Sequence, residues 1–516
     1  MEPPARFVRE GAGVGNDGVE SGNLMTTSFA PDRSLVPGPT TWLPGGAYWA
    51  FRKDPLAFFT DTARTYGDIA AFSFGPQKVY LVSKPEWIED VLVKSAGKFG
   101  KGVALERAKV LLGNGLLTAA GQEHLKHRRM IQPLFHRQHV QGFADTMVRH
   151  ATRWRDQVTP GARLDITREM SGLTLAIIGE TMFSSNVQGD ADEVREALSH
   201  AVAGFGIAFI PGFDYLSRLP LPMFVRIRKA RERLAKVIHR VIAERRTAGV
   251  AAGTSAFAPG ATADEEVPAL RADLISMLLA ARDPENPDEG GMGDRQIRDE
   301  AMTIFLAGHE TTANAMAWTW HLLGTAPAVE ARLHDELDRV LGSGTDTPEG
   351  VSPRTPTVED VPKLEWTRAI VSESMRLFPP AWTMGRRVLE PHTIGGHVIE
   401  KGSLVILSQW VVHRDPRWWD EPEAFNPARW LSPSVSSASS AALDVSASSA
   451  ARPRYAYFPF GGGTRVCIGE AFAWTEAILL LATIAQRWRF TPHAAPTTEP
   501  RITLRPKGLF MTAAQR

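Results

Sequence analysis

Residues 460–469 read Phe-Gly-Gly-Gly-Thr-Arg-Val-Cys-Ile-Gly, a glycine-rich loop that leads directly into an apolar stretch with helical character. Cys467 in this loop is the only cysteine among the 516 residues. A single thiol cannot close an internal disulfide, nor can it supply a multi-cysteine zinc or iron–sulfur site. Three interpretations remain for this side chain: a small buried apolar residue, a nucleophile, or one thiolate ligand to a metal cofactor.

The neighbours of Cys467 favour the thiolate ligand. Glycines let backbone amides approach a sulfur closely, and a helix that begins near Gly469 directs its positive dipole end toward a thiolate. Arg465 can pair with an anionic edge of a cofactor. The segment resembles the haem-binding signature of the cytochromes P450, which matches without a gap. The resemblance implies that Cys467 is the proximal iron ligand, that Phe460 and Gly469 belong to the cofactor-binding loop, and that Arg465 contacts a haem propionate.

Composition and charge limit the partners and the domain organisation. The net charge of +1 suggests neither nucleic acid nor an anionic membrane surface as an obligate partner. One cysteine fits a reducing compartment, and we expect a cytoplasmic protein. Residues 1–35 contain no apolar run suited to a signal peptide or membrane anchor, so we expect a disordered extension followed by one catalytic domain over residues 36–516. Residues 247–267 and 431–453 are rich in small residues and are predicted to be flexible loops.

Two long helices are predicted, Pro222 to Arg246 and Asp294 to Leu323. The second would span about 45 Å, and apolar residues cover most of its circumference, which predicts a helix buried in the core. Its middle, residues 307–312, reads Ala-Gly-His-Glu-Thr-Thr, where we expect a local distortion of the helix. The resemblance implies that Glu310 and Thr311 are the acid–alcohol pair that relays protons during dioxygen activation.

Glu373 and Arg376 have the i, i+3 spacing of one helix face. This spacing alone predicts only an exposed ion pair, and Glu365 and Arg368 show that it also arises by chance. The chain downstream of Arg376 continues as in the family. The resemblance therefore implies that Glu373, Arg376 and Arg429 form a structural charge triad.

His124 and Arg128 are spaced i, i+4, a pattern that in isolation is typical of a solvated helix face. The resemblance implies that both bind the haem propionates, with histidine in place of the commoner tryptophan. A further propionate contact is expected from Arg386 or Arg387, and counting from Arg376 favours Arg386.

The resemblance implies a mainly α fold with small β-sheets, in a single domain that holds haem b between the long central helix and the cysteine-loop helix. It also implies a haem-thiolate monooxygenase that inserts one atom of dioxygen into a medium-sized apolar substrate, such as a terpenoid, fatty acid or polyketide. A dioxygen-independent haem-thiolate isomerase or peroxygenase, and a non-catalytic haem sensor, remain as alternatives. The pocket residues expected from their positions relative to the motifs are Phe305, Ala307, Trp382, Thr383, Leu509 and Phe510.

No dinucleotide-binding fingerprint accompanies these motifs. We therefore expect electrons to come from NAD(P)H through separate proteins, a ferredoxin reductase and a ferredoxin. Lys126, Arg129 and Arg454 flank the haem-side motifs and form the expected docking surface for an acidic ferredoxin.

Overall fold

The protein is represented by a computed structural model, which describes residues 36–40, 46–183, 219, 221–251, 273–286, 290–342, 354–431 and 452–516. The α-helices of these ranges are α1 Gly46–Lys53, α2 Pro55–Tyr66, α3 Pro85–Glu89, α4 Val103–Arg107, α5 Lys109–Leu112, α6 Gly121–Ile131, α7 Arg137–Gln157, α8 Ile166–Phe183, α9 Pro222–Ala251, α10 Leu274–Ala280, α11 Asp294–Gly324, α12 Pro327–Leu341, α13 Glu365–Leu377, α14 Gln409–Val412 and α15 Glu470–Ala485.

The strands of the same ranges are short: β1 Ile69–Phe74, β2 Gln77–Val82, β3 Phe99–Lys101, β4 Arg163–Asp165, β5 Met384–Val388, β6 His392–Ile394, β7 His397–Ile399, β8 Leu404–Leu407, β9 Trp488–Pro492, β10 Thr497–Pro500, β11 Leu504–Lys507 and β12 Phe510–Gln515. The largest sheet has the order β1-β2-β8-β5-β3, with β2 and β8 parallel and the other neighbours antiparallel. A second sheet has the order β4-β12-β9, and two hairpins pair β6 with β7 and β10 with β11. The predicted mainly α, single-domain fold with small sheets is confirmed.

Helix α11 crosses the core from end to end. The prediction of a buried helix from Asp294 to Leu323 is confirmed to within one residue, and most of its side chains are buried. The helix is not broken at the expected distortion, since the backbone stays helical through Gly308. A Cβ atom at Gly308 would lie 3.3 Å from Cδ1 of Ile178, so this glycine instead allows α8 to pack closely against α11.

Helix α9 begins at the predicted Pro222 and extends to Ala251, five residues into the segment that we predicted as a loop. Alanine is the strongest helix former, and Thr247 bonds to the Ala243 carbonyl, so the helix continues there. The rest of that segment, most of residues 431–453 and the N-terminal 35 residues lie outside the described residues. None of the described helices combines the length and apolarity needed to cross a membrane.

Helix α13 carries a buried ionic network at its C-terminal end. Arg376 has a fully buried side chain and donates two bonds to the Glu373 carboxylate, at 2.8 and 3.0 Å. Its other bonds go to the carbonyls of His413, Pro422 and Ala424. Arg429 also donates to the Glu373 carboxylate, at 3.0 Å. The three residues assigned to a charge triad are thus in direct contact, whereas Glu365 is exposed.

We predict that replacing Arg376 with methionine lowers the free energy of unfolding by about 3–5 kcal/mol, because the buried Glu373 carboxylate loses its main partner. Glu365→Gln, at the exposed start of the same helix, should cost less than about 1 kcal/mol. Denaturant unfolding followed by circular dichroism measures both variants. Equal losses for the two variants would contradict the assigned role.

Candidate active site

The glycines of the cysteine loop are required by its geometry. Gly461 and Gly463 have φ angles of 77° and 68°, which side-chain-bearing residues rarely adopt. A Cβ atom at Gly463 would also lie 1.8 Å from the carbonyl oxygen of Leu92, so the loop packs against this backbone with no room for a side chain. The Cys467 N–H donates to the Phe460 carbonyl at 2.9 Å, which closes the loop just before α15.

The Cys467 thiol is surrounded by protein and yet keeps accessible surface, as expected for a side chain that borders an internal cavity. Burial raises the pKa of the Cys467 thiol to about 11, while the Gly469 N–H and the Arg128 guanidinium act in the opposite direction. The protein alone therefore keeps this thiol protonated at neutral pH. A coordinated metal ion would displace the proton, because metal-bound thiols are deprotonated.

Cationic side chains converge beside this loop. The antiparallel register of β3 and β5 places Lys101 directly opposite Arg386, although like charges across a strand pair repel. Burial and Arg465 lower the pKa of Lys101 to about 6, and the same two causes lower the pKa of Arg386 to about 10. Burial, Arg465 and Lys101 lower the pKa of His124 to about 3. Among the described residues, none of these four makes an ion pair with a carboxylate.

Strand alternation separates the two candidate arginines. Arg386 is buried and faces the cationic cluster, whereas Arg387 points to the other face of β5 and pairs with Glu106 at 3.1 Å. Arg128 donates to the Val466 carbonyl at 2.8 Å, next to the cysteine. The structure therefore brings His124, Arg386 and Arg465 together, with Arg128 close to the sulfur.

Helix α11 presents Ala307 and Thr311 on one stripe, since they are four residues apart. The Thr311 hydroxyl donates to the Ala307 carbonyl at 2.7 Å. Ala307 keeps accessible surface although residues 301–306 and 312–320 are buried, which indicates a cavity beside it inside the core. Helices α11 and α15 approach each other at Thr312 and Glu476.

The side chain of Glu310 points from α11 in a different direction from that of Thr311. Its Oε1 accepts a hydrogen bond from the Thr503 hydroxyl at 2.7 Å, at the turn between β10 and β11. Burial raises the pKa of the Glu310 carboxyl, while Thr503, Arg505 and Arg501 lower it. Glu310 is therefore a largely buried carboxyl with an increased tendency to hold a proton.

The first half of α11 holds the loop at residues 113–118 in place. The Asp299 carboxylate accepts the Asn114 N–H at 2.8 Å, and the Glu300 carboxylate accepts the Leu116 N–H at 2.7 Å. Lys101 donates to the Leu116 carbonyl at 3.1 Å and also to that of Leu117. This lysine therefore links the cationic cluster to the same loop.

The predicted pocket residues differ in their surroundings. Phe305 is fully buried. It precedes Ala307 by two residues, which is a rotation of about 200° around the helix axis, so the two side chains point to opposite faces of α11. Trp382 packs against Phe59 in the cluster under the β1-β2-β8 sheet and donates its indole N–H to Arg501. Thr383 is partly buried and lies near the Leu407 carbonyl. Phe305 and Trp382 thus have packing partners in the core, and their assignment to the pocket stays a prediction.

Leu509 and Phe510 lie near the C-terminal end of α11, far from Ala307. Phe510 pairs with Asp165 of β4, is 37% exposed and lies under the Arg163 guanidinium. The adjacent Met511 packs against Gly324, which is about 25 Å along the helix from Ala307. Strand β12 joins the β4-β12-β9 sheet, whereas the preceding β10–β11 turn contacts α11, so the turn lies nearer to Glu310 than Leu509 and Phe510 do. The assignment of Leu509 and Phe510 to the pocket stays a prediction.

Three polar residues of the site carry no signal in the sequence. Lys101 belongs to no sequence motif, and its position depends on the pairing of β3 with β5. The position of Thr503 depends on how the β10–β11 hairpin packs against α11. Glu476 of α15 is buried, and neither carboxyl oxygen has a hydrogen bond of good geometry. Burial raises the pKa of Glu476 to about 8, although the Thr312 hydroxyl lowers it somewhat. Glu476 lies on an otherwise apolar helix, where a sequence pattern gives no reason to expect a buried acid.

Comparison with known proteins decides the family. The family model "Cytochrome P450" matches residues 36–514, almost the whole chain. The chain belongs to the cytochrome P450 family. It is similar to the cyclooctatin synthase of Streptomyces melanosporofaciens, with 36% identity over 89% of this chain and 90% of that protein. Cyclooctat-9-en-7-ol 5-monooxygenase from the same organism is 33% identical over 90% and 94% of the two chains, and pentalenene oxygenase of Streptomyces avermitilis is 31% identical over 90% and 92%.

This cytochrome P450 is an oxidoreductase, a monooxygenase whose family uses haem iron, dioxygen and redox partners. Its residues fit a haem. An enclosed thiol lies just before a helix, and in the described part of the chain the buried basic side chains nearby have no carboxylate partners, which is the arrangement that a dianionic cofactor requires. Cys467 would hold the iron, and Lys101, His124, Arg386 and Arg465 would hold the propionates.

We predict that Lys101→Met accelerates haem loss about tenfold or more, because a propionate loses one charge-assisted hydrogen bond. Lys109→Met is the matched control, since Lys109 is exposed and lies close enough to Lys101 to act on its pKa. Transfer of haem to excess apo-globin, followed by absorbance, measures both rates. A Lys101→Met rate equal to that of the control would remove Lys101 from the propionate site.

Proposed function

We propose that this cytochrome P450 hydroxylates a polycyclic terpenoid with electrons from NAD(P)H, delivered by a ferredoxin reductase and a ferredoxin in the cytoplasm. The observation that carries the proposal is the combination of one enclosed thiol just before α15 with the Glu310–Thr311 pair and an accessible Ala307 on α11. The terpenoid class is supported by two of the relatives, cyclooctat-9-en-7-ol 5-monooxygenase and pentalenene oxygenase, whose names give polycyclic terpenoid substrates.

When bound, the thiolate-ligated haem supplies the activation of dioxygen, with one oxygen atom entering the substrate and the other leaving as water. This reaction consumes two protons and two electrons. The side chains of the protein must deliver the protons to a cavity in the core, where bulk water has little access. Ala307 provides space for an apolar substrate beside Thr311, because a methyl group is the smallest side chain that keeps the helix stable.

Glu310 and Thr311 are the proposed proton carriers. The Thr311 hydroxyl is fixed by its bond to the Ala307 carbonyl and keeps its oxygen lone pairs available for a proton donor. The Glu310 carboxyl is the adjacent acid, and its raised pKa favours the protonated form near neutral pH more than that of an exposed glutamate. Its other neighbours, Arg501 and Arg505, are exposed, which connects this acid to solvent.

For the electron donor, Lys126 and Arg454 remain the proposed docking residues of the basic surface. Arg129 is a weaker candidate, because its guanidinium is bound by Asp283 at 2.8 and 2.9 Å and by Glu285 at 3.1 Å. These acids neutralise much of the charge that a ferredoxin would recognise.

The thiolate assignment is tested by replacing the sole cysteine. We predict that the reduced, carbon monoxide-treated protein shows the red-shifted Soret band of a thiolate-ligated haem, and that Cys467→Ser abolishes this band while circular dichroism stays unchanged. Thr464→Ser, an exposed position of the same loop, should keep the band. An unshifted Soret band in the unmodified protein would contradict the proposal.

The substrate class is tested separately. We predict that polycyclic terpene hydrocarbons and alcohols shift the haem spectrum at lower concentrations than linear fatty acids of the same carbon number. With ferredoxin and reductase, the product should gain one oxygen atom from labelled dioxygen, as measured by mass spectrometry. Tighter binding of the fatty acids would contradict the terpenoid assignment, and turnover with peroxide alone would favour a peroxygenase.

A further inference from the structure

The turn between β10 and β11 makes a polar contact with the middle of α11. The Thr503 hydroxyl donates to Glu310 Oε1 at 2.7 Å and accepts a bond from the Asn314 amide at 3.0 Å. Glu310 and Asn314 are four residues apart and thus share one face of α11. Because a hydroxyl has one hydrogen, its donor capacity is fully used by the Glu310 carboxylate. The Asn314 bond fixes the direction of that hydrogen.

This turn is held rigidly by two buried tryptophans. The indole N–H of Trp382 donates to the Arg501 carbonyl at 2.8 Å, and that of Trp318 donates to the Leu504 carbonyl at 3.0 Å. The Leu504 N–H donates to the Pro380 carbonyl at 2.9 Å. Thr503 itself is 6% exposed. Its hydroxyl is therefore fixed by the surrounding backbone and does not depend on a flexible surface contact.

Opposing effects act on the Glu310 carboxyl. Burial raises its pKa, whereas the Thr503 hydrogen bond is the largest cause that lowers it, followed by the exposed guanidinium groups of Arg505 and Arg501. On α11 itself, the His309 ring faces Ser171 of α8 at 2.9 Å. On the α15 side, the buried acid Glu476 lies near Thr312. Thr503 is thus the uncharged group that most favours the ionised carboxylate.

We propose that Thr503, anchored by Asn314, is a positioning residue that orients the Glu310 carboxylate toward the β10–β11 turn and stabilises its ionised form. In this orientation the carboxylate lies beside the exposed arginines and takes up protons from solvent. To pass a proton to Thr311 it must leave Thr503, so this hydrogen bond sets how readily protons reach the cavity. The inference rests on the proposed proton-carrying role of Glu310.

The titration of Glu310 in the haem-loaded enzyme tests the inference without turnover. Infrared difference spectra of the protein against Glu310→Gln assign the C=O band of the protonated carboxyl, and its pH midpoint is then measured in Thr503 variants. Thr503→Val should raise the midpoint by about one pH unit, because loss of a hydrogen bond to the charged form favours the protonated form. Thr503→Ser keeps the hydroxyl and should stay near the unmodified value.

Thr503→Ala provides a second variant without the hydroxyl if the valine does not fit, and its midpoint should also rise. An unchanged midpoint in both the valine and alanine variants, with an intact Soret band, would overturn the inference. Coupling of NAD(P)H consumption to product tests the underlying function separately. If Glu310→Gln leaves coupling intact while Thr503→Val still shifts the titration, the proton-carrying role of Glu310 fails and the positioning by Thr503 stands.

Discussion

The structure depends on one constraint: a helix of 31 residues passes through the core, and each polar group that it carries needs a partner there. The chain meets part of this need by bringing loops to the helix, whereas the Trp320 indole N–H has no hydrogen-bond partner among the described residues. Asp299 and Glu300 bind the backbone of residues 113–118, and Glu310 binds the β10–β11 turn. Residues 113–118 and the β10–β11 turn are therefore placed by the hydrogen-bonding requirements of α11. Burial and site geometry have the same origin in this protein.

On the cysteine side of the site, buried charged groups are left without partners of opposite charge in the part of the chain that the structure describes. On the cysteine side, Lys101, Arg386 and Arg465 are gathered without acidic partners among the described residues, and their pKa values are lowered. Such a cluster is unfavourable in the protein alone, whereas Arg376 and Arg429 both bind the buried carboxylate of Glu373. The contrast separates two uses of buried charge. The paired network stabilises the fold, and the unpaired cluster is suited to bind an anion.

How much of this could be predicted from sequence depends on whether a residue's surroundings are local. The cysteine loop and the long helix were predictable, because glycine spacing and apolar periodicity act within a few turns of chain. Counting along the chain from Arg376 already favoured Arg386 over Arg387, and the alternation of β5 supplies the physical reason, whereas Lys101 needed the register of β3 against β5. Trp382 and Phe510 show the remaining difficulty. Their type fits an apolar pocket, but the packing of distant strands directs them into other parts of the core and surface.

The position of β3 at the edge of the five-stranded sheet has a consequence for how the enzyme is made. Pairing of this edge strand places Lys101 opposite Arg386, two basic residues whose charges repel when both are protonated, and a bound dianion would remove this repulsion. Binding of the cofactor and pairing of β3 with β5 should therefore be coupled during folding. The yield of properly assembled enzyme in a producing cell would then follow the supply of porphyrin and iron during synthesis, as well as the rate of translation.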